Sequence, residues 1–302
     1  MRIKRRVLYT VSVLMAIALT LGATYILTLP KTEEASSRSD YQGTPEIINN
    51  HAIRLETLNE KIAALLDKYG VSEDEIGYFY VNESTSEAIE LNLEQTFHGA
   101  STQKLPLAMY LYDQVNDGKL SLDDTFLYCS ECYDGGVIGN SYAVGDRIPL
   151  SELLDEMIVN SDNTAIEILW RSFSSYREFR SILLETYSSY DFNSEFYVDN
   201  YTNPQYGKDV LTYLYTHRDQ YEALLANMKK AAFGEYLQST TYDVVIAHKY
   251  GSYDGYLLDY GIVYAKTPFI LGVYTNNVGN AEGLIGELCT VFISYTVSEQ
   301  YA

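Results

Sequence analysis

Gly99-Ala100-Ser101-Thr102-Gln103-Lys104 is the stretch on which the reading of this chain turns. It opens an apolar run with helical character, so Ser101 and Lys104 stand at i and i+3 and share a helix face. A serine at a helix start is surrounded by backbone N–H groups with no partner inside the helix. Such donors can support a developing oxyanion. Alone, Ser-x-x-Lys is a weak signal, since a helix N-cap serine with an exposed lysine reads the same way. Pro106 lies close inside the run, so an irregular first turn is expected.

Further along, Ser161-Asp162-Asn163 falls between two helical patterns. Ser151 reads as the N-cap of the first, whose Leu153, Leu154, Met157 and Ile158 make one apolar face. Residues 164–170 begin the second, and a cap supplied by Asp162 or Asn163 explains the triplet in isolation. Lys249-Tyr250-Gly251 closes a β-rich run at 243–248. A lysine there either projects from an inner strand into a cleft or marks a charged strand end beside a turn.

The flanking pattern supplies the architecture. Leu55, Leu58, Ile62, Leu65 and Leu66 recur at helical spacing and Gly70 follows, which predicts a helix over 46–69. Strands are expected at 76–81 and 87–91, then a helical block from 101 to about 230 with long loops around 128–146 and 187–203. Three further strands are expected at 243–248, 259–265 and 269–274, and an apolar helix at 281–297 closes the chain. Two early and three late strands make one five-stranded antiparallel sheet, flanked by the terminal helices, with a large all-α insertion: an α+β fold. The expected division is 46–100 with 240–302 as the sheet region and 101–239 as the helical region. A cleft belongs between them.

Composition narrows the function. The chain has 302 residues, 41 acidic against 21 basic, and a formal charge of −20. That excludes a nucleic-acid-binding face, which needs a basic stripe to neutralise phosphates. Thirty tyrosines beside one tryptophan read as compositional bias. Three cysteines are too few for a disulfide framework. Cys129 and Cys132 are spaced for a local disulfide or two loop thiols, and no metal site is expected. No phosphate-cradling glycine loop is present, and no cofactor is expected.

Arg2, Lys4, Arg5 and Arg6 precede an uncharged run over 7–29, long enough to cross a bilayer. Residues 1–30 are therefore expected to be an N-terminal membrane anchor, or else a cleaved signal segment, with the remainder outside the cytoplasm. Polar residues 31–45 read as a linker.

Ser-x-x-Lys, Ser-Asp-Asn and Lys-x-Gly, in that order, are the signature of class A β-lactamases and penicillin-binding proteins. From about residue 50 to its end the chain resembles this penicillin-recognising serine hydrolase family. Phe97-His98-Gly99-Ala100-Ser101, Gly118-Lys119-Leu120-Ser121-Leu122 and Lys249-Tyr250-Gly251-Ser252 add to the likeness. The resemblance implies catalytic roles for Ser101 as nucleophile, Lys104 as its proton acceptor, Ser161 as proton relay and Lys249 as the charge behind it. It implies substrate-binding roles for Asn163, Tyr250, Gly251 and Ser252, with the N–H groups of Ser101 and Ser252 as the oxyanion hole. The implied partner is a small-molecule β-lactam or a D-alanyl cell-wall peptide, met by a monomer held at the membrane through residues 7–29. The alternative is a catalytically impaired module that binds penicillin or peptidoglycan.

Two departures stand out. Tyr250 occupies a place where the family has a short hydroxyl residue. The family's deacylating Glu, expected before Thr202-Asn203-Pro204, has no match, since Glu185, Glu195 and Asp199 do not fit the pattern.

Overall fold

The computed structural model describes residues 45–298, and from residue 47 onward they form one compact unit. The anchor expected at 7–29 and, apart from Pro45, the linker at 31–45 lie outside the described residues. Among the described residues no helix is long and apolar enough to cross a membrane.

In chain order the elements are α1 (Pro45–Tyr69), β1 (Ile76–Asn82), β2 (Glu87–Leu91), β3 (Phe97–His98), α2 (Lys104–Asn116), β4 (Thr125–Leu127), α3 (Gly136–Ser141), β5 (Arg147–Pro149), α4 (Leu150–Val159), α5 (Asn163–Trp170), α6 (Tyr176–Tyr187), β6 (Tyr201–Thr202), α7 (Pro204–Thr216), α8 (Glu222–Met228), β7 (Ile246–Tyr253), β8 (Tyr256–Val263), β9 (Phe269–Asn276) and α9 (Ala281–Ser298). The main sheet has the order β2-β1-β9-β8-β7, and every pair in it is antiparallel. This is the five-stranded α+β arrangement expected from the strand order.

Strand alternation divides the core. Ile76, Tyr78 and Tyr80 of β1, with Phe269, Leu271 and Val273 of β9, pack on Leu58 and Ile62 of α1 and on Leu284, Leu288 and Phe292 of α9. The intervening Phe79, Ile270 and Tyr274 face the helical block instead, joining Leu105, Leu154, Leu183 and Leu211. A period-two pattern therefore buries both sheet faces, one under the terminal helices and one under the insertion. β7 is left at the edge, bordering the insertion.

Several boundaries differ from the sequence reading. The strand expected at 243–248 starts at Ile246 and runs on to Tyr253, and the one expected at 259–265 starts at Tyr256. Asp254 and Gly255, with φ +43° and +86°, form a two-residue turn that sets Tyr253 opposite Tyr256. An Asp-Gly pair with positive φ at both positions is a favoured hairpin turn, so both strands extend to meet it. Ser151 is not an N-cap: α4 already begins at Leu150, behind Pro149. The Leu150 and Ser151 N–H groups instead donate to the carbonyls of Asp124 and Leu122, which satisfies the helix start without a side chain. The loop expected over 128–146 contains α3 and a turn closed by a Cys129–Cys132 disulfide.

The helical block is fixed to the sheet partly by close packing at Gly207 of α7. A Cβ at Gly207 would overlap the hydroxyl of the buried Tyr274. Alanine is favoured over glycine in a helix by up to about 1 kcal/mol. Overpacking costs about 1–3 kcal/mol and should win. Gly207→Ala is expected to lower the thermal midpoint by several degrees, and Tyr274→Phe in the same chain should recover much of that loss. A midpoint that rises in the single variant would contradict this packing.

Candidate active site

Ser101 lies in a 3-10 turn, Ala100–Gln103, that leads into α2 at Lys104. The irregular first turn matches Pro106, the third residue of α2, whose missing N–H costs nothing so near a helix start. Lys104 is 1% exposed, and its Nζ lies 3.0 Å from Ser101 Oγ.

Ser161 reaches the same ammonium from the loop between α4 and α5. Its φ of +54° is unusual for a non-glycine residue. The bend directs both its carbonyl and its hydroxyl to Lys104, which donates to the carbonyl at 2.5 Å and lies 3.2 Å from Oγ. Asn163 Oδ1 accepts from the same amine at 2.6 Å. Asp162 is the cap of α5: buried, it accepts from the N–H of Ala165 at 2.8 Å and of Ile138 at 3.0 Å. The capping reading of the triplet is thus correct for Asp162, while its two neighbours turn to the lysine.

Lys249 projects from β7 toward the helical block. Its Nζ lies 3.0 Å from Ser161 Oγ and donates to the Tyr250 carbonyl at 2.9 Å. Ser101, Lys104, Ser161, Asn163 and Lys249 are therefore connected by hydrogen bonds. Gly251 occupies the closest point between strand and turn. A Cβ there would come within 2.8 Å of Ser101 N and 2.9 Å of Gly99 O, so only glycine lets the two backbones approach. Ser252 is exposed on β7 just beyond it. Tyr260 supports the turn from the sheet by donating to Thr102 O at 2.9 Å.

The Tyr250 ring stacks on Tyr236, with centroids 4.4 Å apart and planes at 21°. Lys249 Nζ sits 4.3 Å from the Tyr250 centroid. Burial raises the Tyr250 phenol above its ordinary value, the Glu235 carboxylate adds to this, and a hydrogen bond with Ser161 opposes it. The ring thus lies against Lys249 and Ser161.

The two lysines share a hydroxyl, and two ammonium charges so close disfavour one another. Burial, opposed by Asp162, Asp134 and Glu167, brings Lys104 down to about 8. Lys249 is also lowered, by burial first and then by the charge of Lys104, against the pull of Asp259. The shortest contacts of Lys104 fix its geometry when neutral. Its two N–H groups serve Ser161 O and Asn163 Oδ1, which leaves the lone pair for the Ser101 proton.

Three supporting residues are not evident from the motifs. Asp259, buried in β8, accepts from Leu237 N at 3.0 Å and pairs with His248 Nδ1 at 2.7 Å, behind Lys249. A lone acidic residue inside the apolar run at 257–263 is its only sequence signal. Arg180 is 1% exposed and donates to Phe196 O, Tyr201 O and Gln103 Oε1 at 3.0, 2.6 and 3.3 Å. Asn200 donates to Ala100 O at 2.8 Å. Together these last two fasten the 194–203 segment to the turn that carries Ser101. The side chains of Glu185, Glu195 and Asp199 are exposed. Among the described residues, no carboxylate is hydrogen-bonded to Ser101 or Lys104, and no group of three or more His, Cys, Asp or Glu is placed to hold a metal ion.

Comparison with known proteins bears on the fold and the family. Among solved structures, a β-lactamase from Chitinophaga pinensis superposes with a TM-score of 0.66 at 23% identity, covering 80% of this chain and 99% of the other. A mutant of PBP-A, solved as an acyl-enzyme complex with penicillin G, gives 0.68 at 18% identity, covering 82% and 97%. A variant of the last common ancestor of Gram-negative class A β-lactamases gives 0.69 at 20% identity, covering 80% and 99%. These likenesses establish the fold. No curated relative matches the sequence. The sequence model described as the beta-lactamase enzyme family matches residues 57–294. The chain belongs to the beta-lactamase enzyme family.

Proposed function

We propose that the chain is an exported serine hydrolase, held at the membrane through residues 7–29, that forms an acyl-enzyme on Ser101 with a β-lactam or a D-alanyl peptide amide. The observation that carries this reading is the position of Lys104 Nζ, 3.0 Å from Ser101 Oγ with its other contacts already taken.

Neutral Lys104 takes the Ser101 proton as Oγ bonds to the amide carbon. The carbonyl oxygen becomes an oxyanion between the N–H groups of Ser101 and Ser252. Lys104 then returns its proton through Ser161 to the amide nitrogen, the C–N bond breaks, and the acyl group stays on Ser101. Lys249 holds Ser161 in place through its contact with the Ser161 hydroxyl. With Glu185, Glu195 and Asp199 on the surface and, among the described residues, no carboxylate hydrogen-bonded to Ser101 or Lys104, activation of a deacylating water lacks a base beside the acyl group. Acylation is therefore expected to outrun hydrolysis. PBP-A, a relative in fold, is recorded in an acyl-enzyme complex with penicillin G.

The position of Tyr250 favours a second reading, a penicillin- or peptidoglycan-binding module, because the ring crowds the relay where a substrate anion would lie. Intact-mass measurement of the full chain in detergent with benzylpenicillin separates the two. The expected result is one adduct that forms, persists and is absent from Ser101→Ala. A folded wild-type chain with no adduct would favour the binding module, and an adduct on Ser101→Ala would place the nucleophile elsewhere.

The same crowding sets substrate preference. Tyr250→Thr is expected to restore one charge-assisted hydrogen bond to a substrate carboxylate, worth about 1.5–3 kcal/mol. This is roughly ten- to a hundred-fold in acylation rate. The gain should be small for the methyl ester of the same compound. Equal gains for both would mean that Tyr250 only obstructs entry.

A further inference from the structure

Ala100, immediately before the nucleophile, has φ +45°, a left-handed conformation that an alanine does not adopt unaided. It is held from both sides. Its N–H donates to His98 Nδ1 at 3.1 Å, and its carbonyl accepts from Asn200 Nδ2 at 2.8 Å. That carbonyl shares a rigid peptide plane with the N–H of Ser101, so whatever orients the one aims the other. Asn200 is itself anchored, its own carbonyl accepting from Gly99 N at 2.6 Å. A Cβ at Gly99 would press on Asn200 Oδ1 and displace that side chain.

We propose that His98 is a positioning residue for the oxyanion donor of Ser101, acting only as the neutral imidazole and releasing Ala100 when protonated. Because Nδ1 accepts from Ala100, the proton of the neutral ring resides on Nε2. Protonation places a second N–H on Nδ1, donor facing donor, and the bond to Ala100 is lost. The left-handed conformation of Ala100 is then held from one side only, and the aim of the Ser101 N–H loosens with it. Asn200 alone holds the carbonyl side.

The surroundings keep His98 neutral near pH 7. Its ring stacks on Tyr253 at 4.3 Å and lies 6.2 Å from Tyr256, while its backbone pairs with Tyr201 of β6. Burial lowers its titration below the ordinary histidine value. Asp199 and Asp254 pull it up, and Arg180 pushes it down. The sign follows: the active form is the deprotonated one, so acylation falls as pH drops through the His98 midpoint.

This inference rests on the hydrolase reading, and the test separates the two. Acylation of the full chain by a fluorescent penicillin is followed from about pH 7.5 to about pH 5 in wild type and in His98→Asn, while NMR follows the Ala100 amide. An asparagine can accept from the N–H two residues on but does not titrate. The dependence on Lys104 is common to both proteins and cancels in the comparison. Wild type is expected to lose about an extra ten-fold for each pH unit below the midpoint, a loss absent from His98→Asn. The Ala100 amide shift should follow the His98 ring titration. Parallel pH profiles, or an Ala100 amide that ignores the His98 titration, overturn the proposal. If neither protein is labelled at any pH, the hydrolase reading fails. The Ala100 amide then decides alone: a matching titration supports the clamp, and none overturns it.

Discussion

A lysine amine in a protein interior must be satisfied by acceptors or give up its proton, and Lys104 does some of each. It is 1% exposed and reaches Ser161 O, Asn163 Oδ1 and Ser101 Oγ. No single local segment provides these partners. The hydroxyl comes from the turn that starts α2, the Ser161 carbonyl from the loop between α4 and α5, and the Asn163 oxygen from the first residue of α5. The second lysine, bonded to the same Ser161 hydroxyl, comes from the far end of the chain on β7. Burying this amine therefore requires the helical block to be packed and the sheet to be closed against it. An uncompensated amine in that place would cost several kcal/mol, so the site and the fold constrain one another.

The sheet contributes its edge. β7 faces the turn that carries Ser101 without an intervening layer, and Gly251 lets backbone meet backbone at that point. The hairpin turn at Asp254-Gly255 fixes the register that places Lys249 opposite Tyr260. Since successive residues alternate faces, Lys249 points into the cleft while His248 points to the side of Asp259. A slip of one residue would exchange them and remove the Lys249 amine from Ser161.

The core pattern and the three motifs were legible because each is a local signal. The aromatic and β-branched runs at 76–81 and 269–274, the helical spacing of Leu55 to Leu66 in α1, the apolar run of α9, and the order of Ser101, Ser161 and Lys249 all survive in one dimension. The supports of the site are not local. Arg180 bonds carbonyls in another segment, and nothing in its surrounding sequence says so. Asn200 acts a hundred residues from Ala100. Ser151 looked like a cap because its residue type fits, yet tertiary carbonyls had already satisfied the helix start. The Asp254-Gly255 turn is the opposite case, a local signal that places both strand ends once it is weighed. Tyr250 was legible as a departure, but the side its ring takes is decided by Tyr236, which only the folded chain brings near.

The account depends most on Lys104 being a base that is partly neutral near physiological pH. NMR titration of its side chain, with the resonance assigned by Lys104→Arg, measures this directly. The expected midpoint is about 8. A midpoint at the ordinary lysine value near 10.5 would mean a fixed cation beside Ser101, which contradicts its role as the acceptor of the serine proton.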